Sequence, residues 1–131
     1  MTLDISNFIY VFVILLVFSM GTCAAQEVIN QSNFKDKIAK DIVVVEFWAE
    51  WNKANEFTDL NKLKDSSVYR VNIMHCTKLQ ADYKISAVPT VVVFDNGVEK
   101  ERFNANIMFQ LEADKKTIQT SIDTIILNKF Q

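Results

Sequence analysis

Residues 42–48 read IVVVEFW: four β-branched residues, one acid and two aromatics, with no glycine or proline among them. A surface strand would alternate apolar and polar positions, whereas this run is apolar on both faces except at Glu46. That is the pattern of a central strand buried on both sides. After it a helix is predicted from about Asn52 to Lys64, with Ala54, Phe57, Leu60 and Leu63 on its inner side. Upstream, Ser32 or Asn33 is placed to cap a short helix whose Phe34 and Ile38 share a face at i, i+4. Downstream, Val68–Met74 reads as a second strand, Thr77–Tyr83 as a short helix, and Val91–Phe94 as the start of a third strand. Asp95-Asn96-Gly97 is a hairpin signal, because Asn-Gly tolerates the positive φ of a tight turn. The returning strand is expected to carry the alternation of Phe103, Ala105, Ile107, Phe109 and Leu111. Asp114 can cap a last helix in which Ile118, Ile122, Ile125 and Ile126 recur at helical spacing. This order of elements predicts an α/β sandwich, a mixed central β-sheet flanked by helices.

The composition narrows the function classes. The chain has 131 residues, 50% hydrophobic and 23% charged, the profile of one globular domain. Its two glycines, Gly21 and Gly97, leave no glycine-rich phosphate cradle. One histidine, His75, and two cysteines, Cys23 and Cys76, cannot build a Cys₄ or Cys₂His₂ zinc site, so neither metal nor cofactor is expected. A net charge of −2 and a pI near 5.4 give no footprint for nucleic acid. Residues 8–20, FIYVFVILLVFSM, are uncharged and have the length of a signal-peptide core; small residues at Cys23, Ala24 and Ala25 offer a cleavage site before Gln26. The segment before them is a poor match, with Asp4 and no Lys or Arg. The division expected is therefore 1–25, a signal peptide or N-terminal membrane anchor, and 26–131, the folded domain. An exported protein, periplasmic or secreted, follows. The alternative is a domain facing outside the cytoplasm, held to the membrane by residues 8–25 or by a lipid on Cys23.

The segment VVVEFWAEWNKANEF, residues 43–57, resembles the active-site segment of the thioredoxin family, where a buried strand ends in Trp-Cys-x-x-Cys at a helix start. Val88-Pro89-Thr90 resembles that family's cis-proline loop, and Asp95-Asn96-Gly97 its hairpin. The resemblance runs from about Glu27 to Ala105 and resumes in the last helix. It implies a thioredoxin-like fold and a cis bond before Pro89. Asn52 and Asn55 stand where the family has its two cysteines. Disulfide exchange needs a thiolate to attack and a second thiol to resolve, and a carboxamide does neither, so a redox-inactive domain is expected. Read from its residue type alone, Asn52 is an N-cap. The resemblance further implies a groove formed by Trp51, Asn52, Asn55, Val88, Pro89 and Thr90, taking a protein or extended peptide by strand addition.

Three other features carry chemistry. In the resemblance Glu46 takes the place of the family's buried aspartate and Arg70 that of a nearby lysine. Arginine grips a carboxylate bidentately and keeps its charge, so Glu46 and Arg70 are expected to form a structural, ionic pair rather than a proton shuttle. His75-Cys76 is the alternative source of activity, a monothiol oxidoreductase or redox sensor, set against the commoner reading of a lone cysteine as a small buried hydrophobe. Finally, residues 106–113, NIMFQLEA, continue the strand alternation and predict a longer edge strand or flap. An edge carrying Ile107, Phe109 and Leu111 would suit a structural subunit that pairs with a partner.

Overall fold

The computed structural model describes residues 26–131. The leader, anchor and lipid expectations for residues 1–25 lie outside the described residues. Four strands form one mixed sheet in the order β2-β1-β3-β4. β1 (Ile42–Trp48) lies parallel to β2 (Ser67–Asn72) and antiparallel to β3 (Thr90–Asp95), which carries β4 (Val98–Asn104) antiparallel on its outer side. Beyond β2, Arg70 N–H donates to the Glu27 carbonyl at 3.0 Å and Ile29 N–H to the Arg70 carbonyl at 2.9 Å, so the N-terminal stretch covers that edge.

Central placement explains the apolar run. Val43, Val45 and Phe47 pack with Phe34 and Ile38 of α1 (Phe34–Ile38), Leu79 of α2 (Thr77–Asp82), Ile85 and Phe94. Ile42 and Val44 face the other way, onto Phe57, Leu60, Leu63 and Ile118 and Ile122 of α3 (Lys115–Asn128). Phe34 anchors the first layer, its ring 5.1 Å from Tyr83 and edge-on to Phe94 at 5.9 Å. Emptying such a site by Phe→Ala costs about 3–5 kcal/mol. α3 is capped by Asp114, whose Oδ1 accepts from Thr117 N–H at 2.8 Å. Between β3 and β4, Asn96 (φ 49°) and Gly97 (φ 81°) both lie at positive φ, as a two-residue turn matched to strand twist requires. Asn96 also ties the hairpin to the start of β1, its Oδ1 accepting from Asp41 N–H at 3.0 Å. Among the described residues no helix is long and apolar enough to cross a membrane.

The structure corrects the sequence reading in three places. No helix spans 52–64; two short 3₁₀ turns, Glu50–Asn55 and Leu60–Lys62, take its place. Phe57 N–H is withdrawn from any helical ladder because it donates to Glu46 Oε2 at 2.7 Å, and Asn52 (φ −115°, ψ 25°) leaves helical geometry. Ala54 is consequently exposed, not inward. Second, the long edge strand is absent: β4 stops at Asn104, and the chain turns over at 107–108 to make an isolated Ala105–Leu111 bridge. Asn106 causes this, its Oδ1 accepting from Met108 N–H at 2.9 Å and Gln110 N–H at 3.1 Å, so that its side chain closes a turn where a strand ladder would have continued. The flap reading survives and the edge-pairing one loses its strand. Third, Asn33 is the N-cap of α1 without a capping side-chain bond; its Oδ1 accepts from Asn30 N–H instead.

Candidate functional site

β1 delivers Trp48 to the end of the sheet, and the first 3₁₀ turn follows with Trp51, Asn52 and Asn55. Asn52 is not an N-cap. Ala49 holds that position, and the Asn52 side chain, which is buried, reaches across the site instead. Its Nδ2 donates to the Val88 carbonyl at 2.9 Å and to the Phe109 carbonyl at 3.0 Å. The two carbonyls set the amide with its donor end toward them, and Asn55 Nδ2 donates to the remaining Asn52 Oδ1 at 2.8 Å. The Val88–Pro89 peptide bond is cis. Trp51 stands 58% exposed, its ring edge-on to Phe109 at 5.2 Å. Together they flank a cleft of about 200 Å³ that also borders Ile73, Gln80, Ile85, Ala87 and Val88.

The six groove residues therefore meet at one end of the sheet, in unequal roles. Val88, Pro89 and Thr90 are buried, and the Thr90 hydroxyl is turned inward to the Ala87 carbonyl at 2.7 Å. They offer backbone, while Trp51 and the two amides offer side chains. Phe109 belongs to the site and was assigned to an edge strand by the alternation around it. The turn-forming Asn106 was the signal that the chain folds back here.

Below, on the α3 side of the sheet, Glu46 and Arg70 occupy one register position on neighbouring parallel strands. Arg70 Nε donates to Glu46 Oε1 at 2.9 Å and Phe57 N–H to Oε2 at 2.7 Å. The guanidinium also reaches Glu56 at 3.2 Å and the Phe57 carbonyl at 3.3 Å, and lies over the Trp48 ring. Complete burial of the Glu46 side chain pushes its carboxyl up to about 7, against the pull of Arg70 and of the Phe57 N–H. The expected pair of Glu46 and Arg70 is present, its N···O distance 2.9 Å. The geometry suits a carboxylate, since both oxygens accept N–H donors, yet low dielectric delays ionisation to near neutral pH. Glu56 and the Phe57 main chain, to which the sequence reading gave no part in the pair, complete this network.

Cys76 is buried, 4% exposed, and packs in the first core layer, whereas His75 is exposed. A thiol so placed reaches an external disulfide only through local opening. Among the described residues no cluster of His, Cys, Asp and Glu is arranged to hold a metal.

A family model described as Thioredoxin matches residues 25–118. The chain belongs to the thioredoxin family. It is 39% identical over 70 residues to a thioredoxin of Mycoplasma genitalium, covering 49% of this chain and 69% of that one. A thioredoxin of Chlamydia trachomatis is 30% identical over 82 residues, 58% of this chain and 80% of its own. Among solved structures, a mutant thioredoxin from Halobacterium salinarum superposes with a TM-score of 0.61 at 23% identity, over 79% of this chain and 95% of that one. Malassezia sympodialis thioredoxin gives 0.60 at 24% identity, over 76% and 90%. These structural likenesses establish the thioredoxin fold. Within it, the segment from Trp51 to Phe57 contains no cysteine.

Proposed function

We propose that this chain is an exported, redox-inactive thioredoxin-fold domain that binds a protein or extended peptide in the groove between Trp51 and Val88-Pro89. The observation that carries the reading is the Asn52 amide, whose one Nδ2 serves two main-chain carbonyls at 2.9 and 3.0 Å. A thiolate in that seat would attack sulfur. A carboxamide donor there recognises peptide backbone, and the neighbouring Trp51 face supplies apolar contact at low entropic cost. Burial of Cys76 supports the absence of thiol chemistry. Export is supported by the uncharged stretch 8–20 and the small residues before Gln26.

The test has two arms. In dithiothreitol-driven reduction of insulin, the parent chain is expected to give only the uncatalysed rate; turnover that disappears in Cys76→Ser would overturn redox inactivity. In panning of a random-peptide library on immobilised protein, Trp51-dependent retention is expected. Retention unchanged in Trp51→Ala would overturn the groove. N-terminal sequencing of protein from the envelope and medium checks export, with Gln26 as the expected first residue.

A further inference from the structure

Residues 105–110 form a turn closed by its own hydrogen bonds, standing on a base where Leu111 packs against the second core layer. The Ala105–Leu111 bridge closes the base, Asn106 N–H donates to the Gln110 carbonyl at 2.9 Å, and Phe109 N–H to the Asn106 carbonyl at 3.0 Å. Asn106 Oδ1 accepts two further N–H groups from inside the turn. The tip is apolar and bare, with Ile107 97% and Met108 68% exposed. The contacts from this turn onto the site converge on one residue. Phe109 gives its carbonyl to Asn52 Nδ2 and its ring to Trp51. The backbone there adopts φ 57°, which a non-glycine residue rarely takes, and this presents ring and carbonyl to the groove together. A self-contained turn that meets the site through one hydrogen bond and one aromatic contact can leave it as a unit.

We propose that this flap is a tethered pseudo-ligand. Phe109 holds the place of an aromatic residue in an incoming extended peptide, its main-chain carbonyl on Asn52 Nδ2 and its ring on Trp51. The partner class follows: a segment offering an aromatic side chain and the carbonyl of the same residue. Binding requires the flap to swing out, so the closed flap lowers apparent affinity in proportion to the open fraction. This inference rests on the peptide-binding reading above and adds both the side chain preferred and the means of regulation.

The probe is the blocked peptide of residues 105–112, Ac-ANIMFQLE-NH₂, titrated to millimolar concentration and read by amide NMR. One variant replaces residues 106–110 by Asn-Gly, a turn that fits a two-residue connection between Ala105 and Leu111. A second, Phe109→Ala, keeps the flap and carries the test if the shortened chain fails to fold. Both are expected to bind the peptide at least about tenfold more tightly than the parent, with shifts centred on the Trp51 indole and the Val88 amide. A peptide with Ala in place of its Phe should not bind. Equal affinity for parent and variants overturns the proposal, as do shifts centred elsewhere. If library peptides are retained through Trp51 but the folded variants ignore the probe, the pseudo-ligand falls and the groove stands. Failure of both arms removes the groove as well. If the parent holds no library peptide while the folded variants bind the probe, the closed flap masks the groove and the proposal stands.

Discussion

Glu46 and Asn52 lie six positions apart in the sequence, yet each organises a polar network of the opposite kind. Glu46 is sealed beneath the sheet, gripped by Arg70 from β2 and by the Phe57 amide. Asn52 is neutral and lies at the end of the sheet, where one donor bridges the Pro89 loop and the flap. In the charged network Glu46 is fully cut off from water, so removing Arg70 strands it with nothing to replace the lost partner. In the amide network the Phe109 carbonyl is one acceptor that another backbone carbonyl can replace. The first network is architecture. The second is suited to exchange, and the difference can be tested by removing members of each.

Arg70→Ala should have the largest effect. At pH 8 it takes the cation from the buried Glu46, which must then stay charged alone or take up a proton, and it empties the guanidinium's contacts with Glu56, Phe57 and Trp48, for an expected loss of about 3–5 kcal/mol in urea-induced unfolding. The loss should shrink at pH 5, where Glu46 is protonated in the parent as well. A loss that is small at pH 8, or no smaller at pH 5, would break the charged side of the comparison.

Titration of Glu46 itself comes next. Its folded value is raised from 4.5 to about 7, so between those pH values the native state holds a proton that the unfolded chain has released. Stability contributed by Glu46 is therefore present in full below pH 4.5, declines as pH rises to 7, and is flat above it. The difference in unfolding free energy between the parent and Glu46→Gln, measured from pH 4 to 8, isolates this group. It should fall by about 3 kcal/mol across that window. A difference that rises with pH would mean that Arg70 and the Phe57 amide outweigh burial.

These two networks were unequally legible in the sequence. The pairing of Glu46 with Arg70 was legible through the family resemblance, which sets Arg70 where the family has a lysine, and the parallel register places the two side by side. The sheet and hairpin were legible for a local reason, since buried strands and Asn-Gly turns write themselves in residue type. The segment after β1 was misread as one helix, although Ala54, Phe57, Leu60 and Leu63 recur every three residues, the period of a 3₁₀ turn as much as a loose α-helical match. What decided between them was Phe57 N–H choosing Glu46, a tertiary bond that no local pattern records. The flap was hidden by its own alternation: Phe103 to Leu111 reads as a strand until the Asn106 side chain is allowed to compete for backbone donors. Likewise Asn52 matches the composition of an N-cap, and its actual partners lie 36 and 57 residues away.

On the amide side, Asn52→Ala removes the donor shared by Val88 and Phe109. The Val88 carbonyl belongs to a buried residue and loses this bond without ready access to water, while the Phe109 carbonyl lies on an exposed one and can rehydrate. An expected cost of about 1–2 kcal/mol follows. Because the flap loses its hydrogen bond, Trp51 fluorescence should also become more accessible to iodide quenching. Full stability with unchanged quenching would show that the flap needs no tether at Asn52.

Asn55→Ala is the smallest and the most discriminating. Asn55 is half-buried and touches the carbonyls only through Asn52, to whose Oδ1 it donates at 2.8 Å. Without it, the Asn52 amide has no reason to turn over, since the flipped form would set its oxygen against the Val88 and Phe109 carbonyl oxygens. Water can supply the donor that Oδ1 has lost. The expected change in unfolding free energy is below about 1 kcal/mol, with iodide quenching of Trp51 left as in the parent. Should Asn55→Ala instead cost as much as Asn52→Ala, the two amides would act as one rigid unit held from below. The site would then resemble the Glu46 network, built to stay closed, and a partner could not open it by offering a single carbonyl.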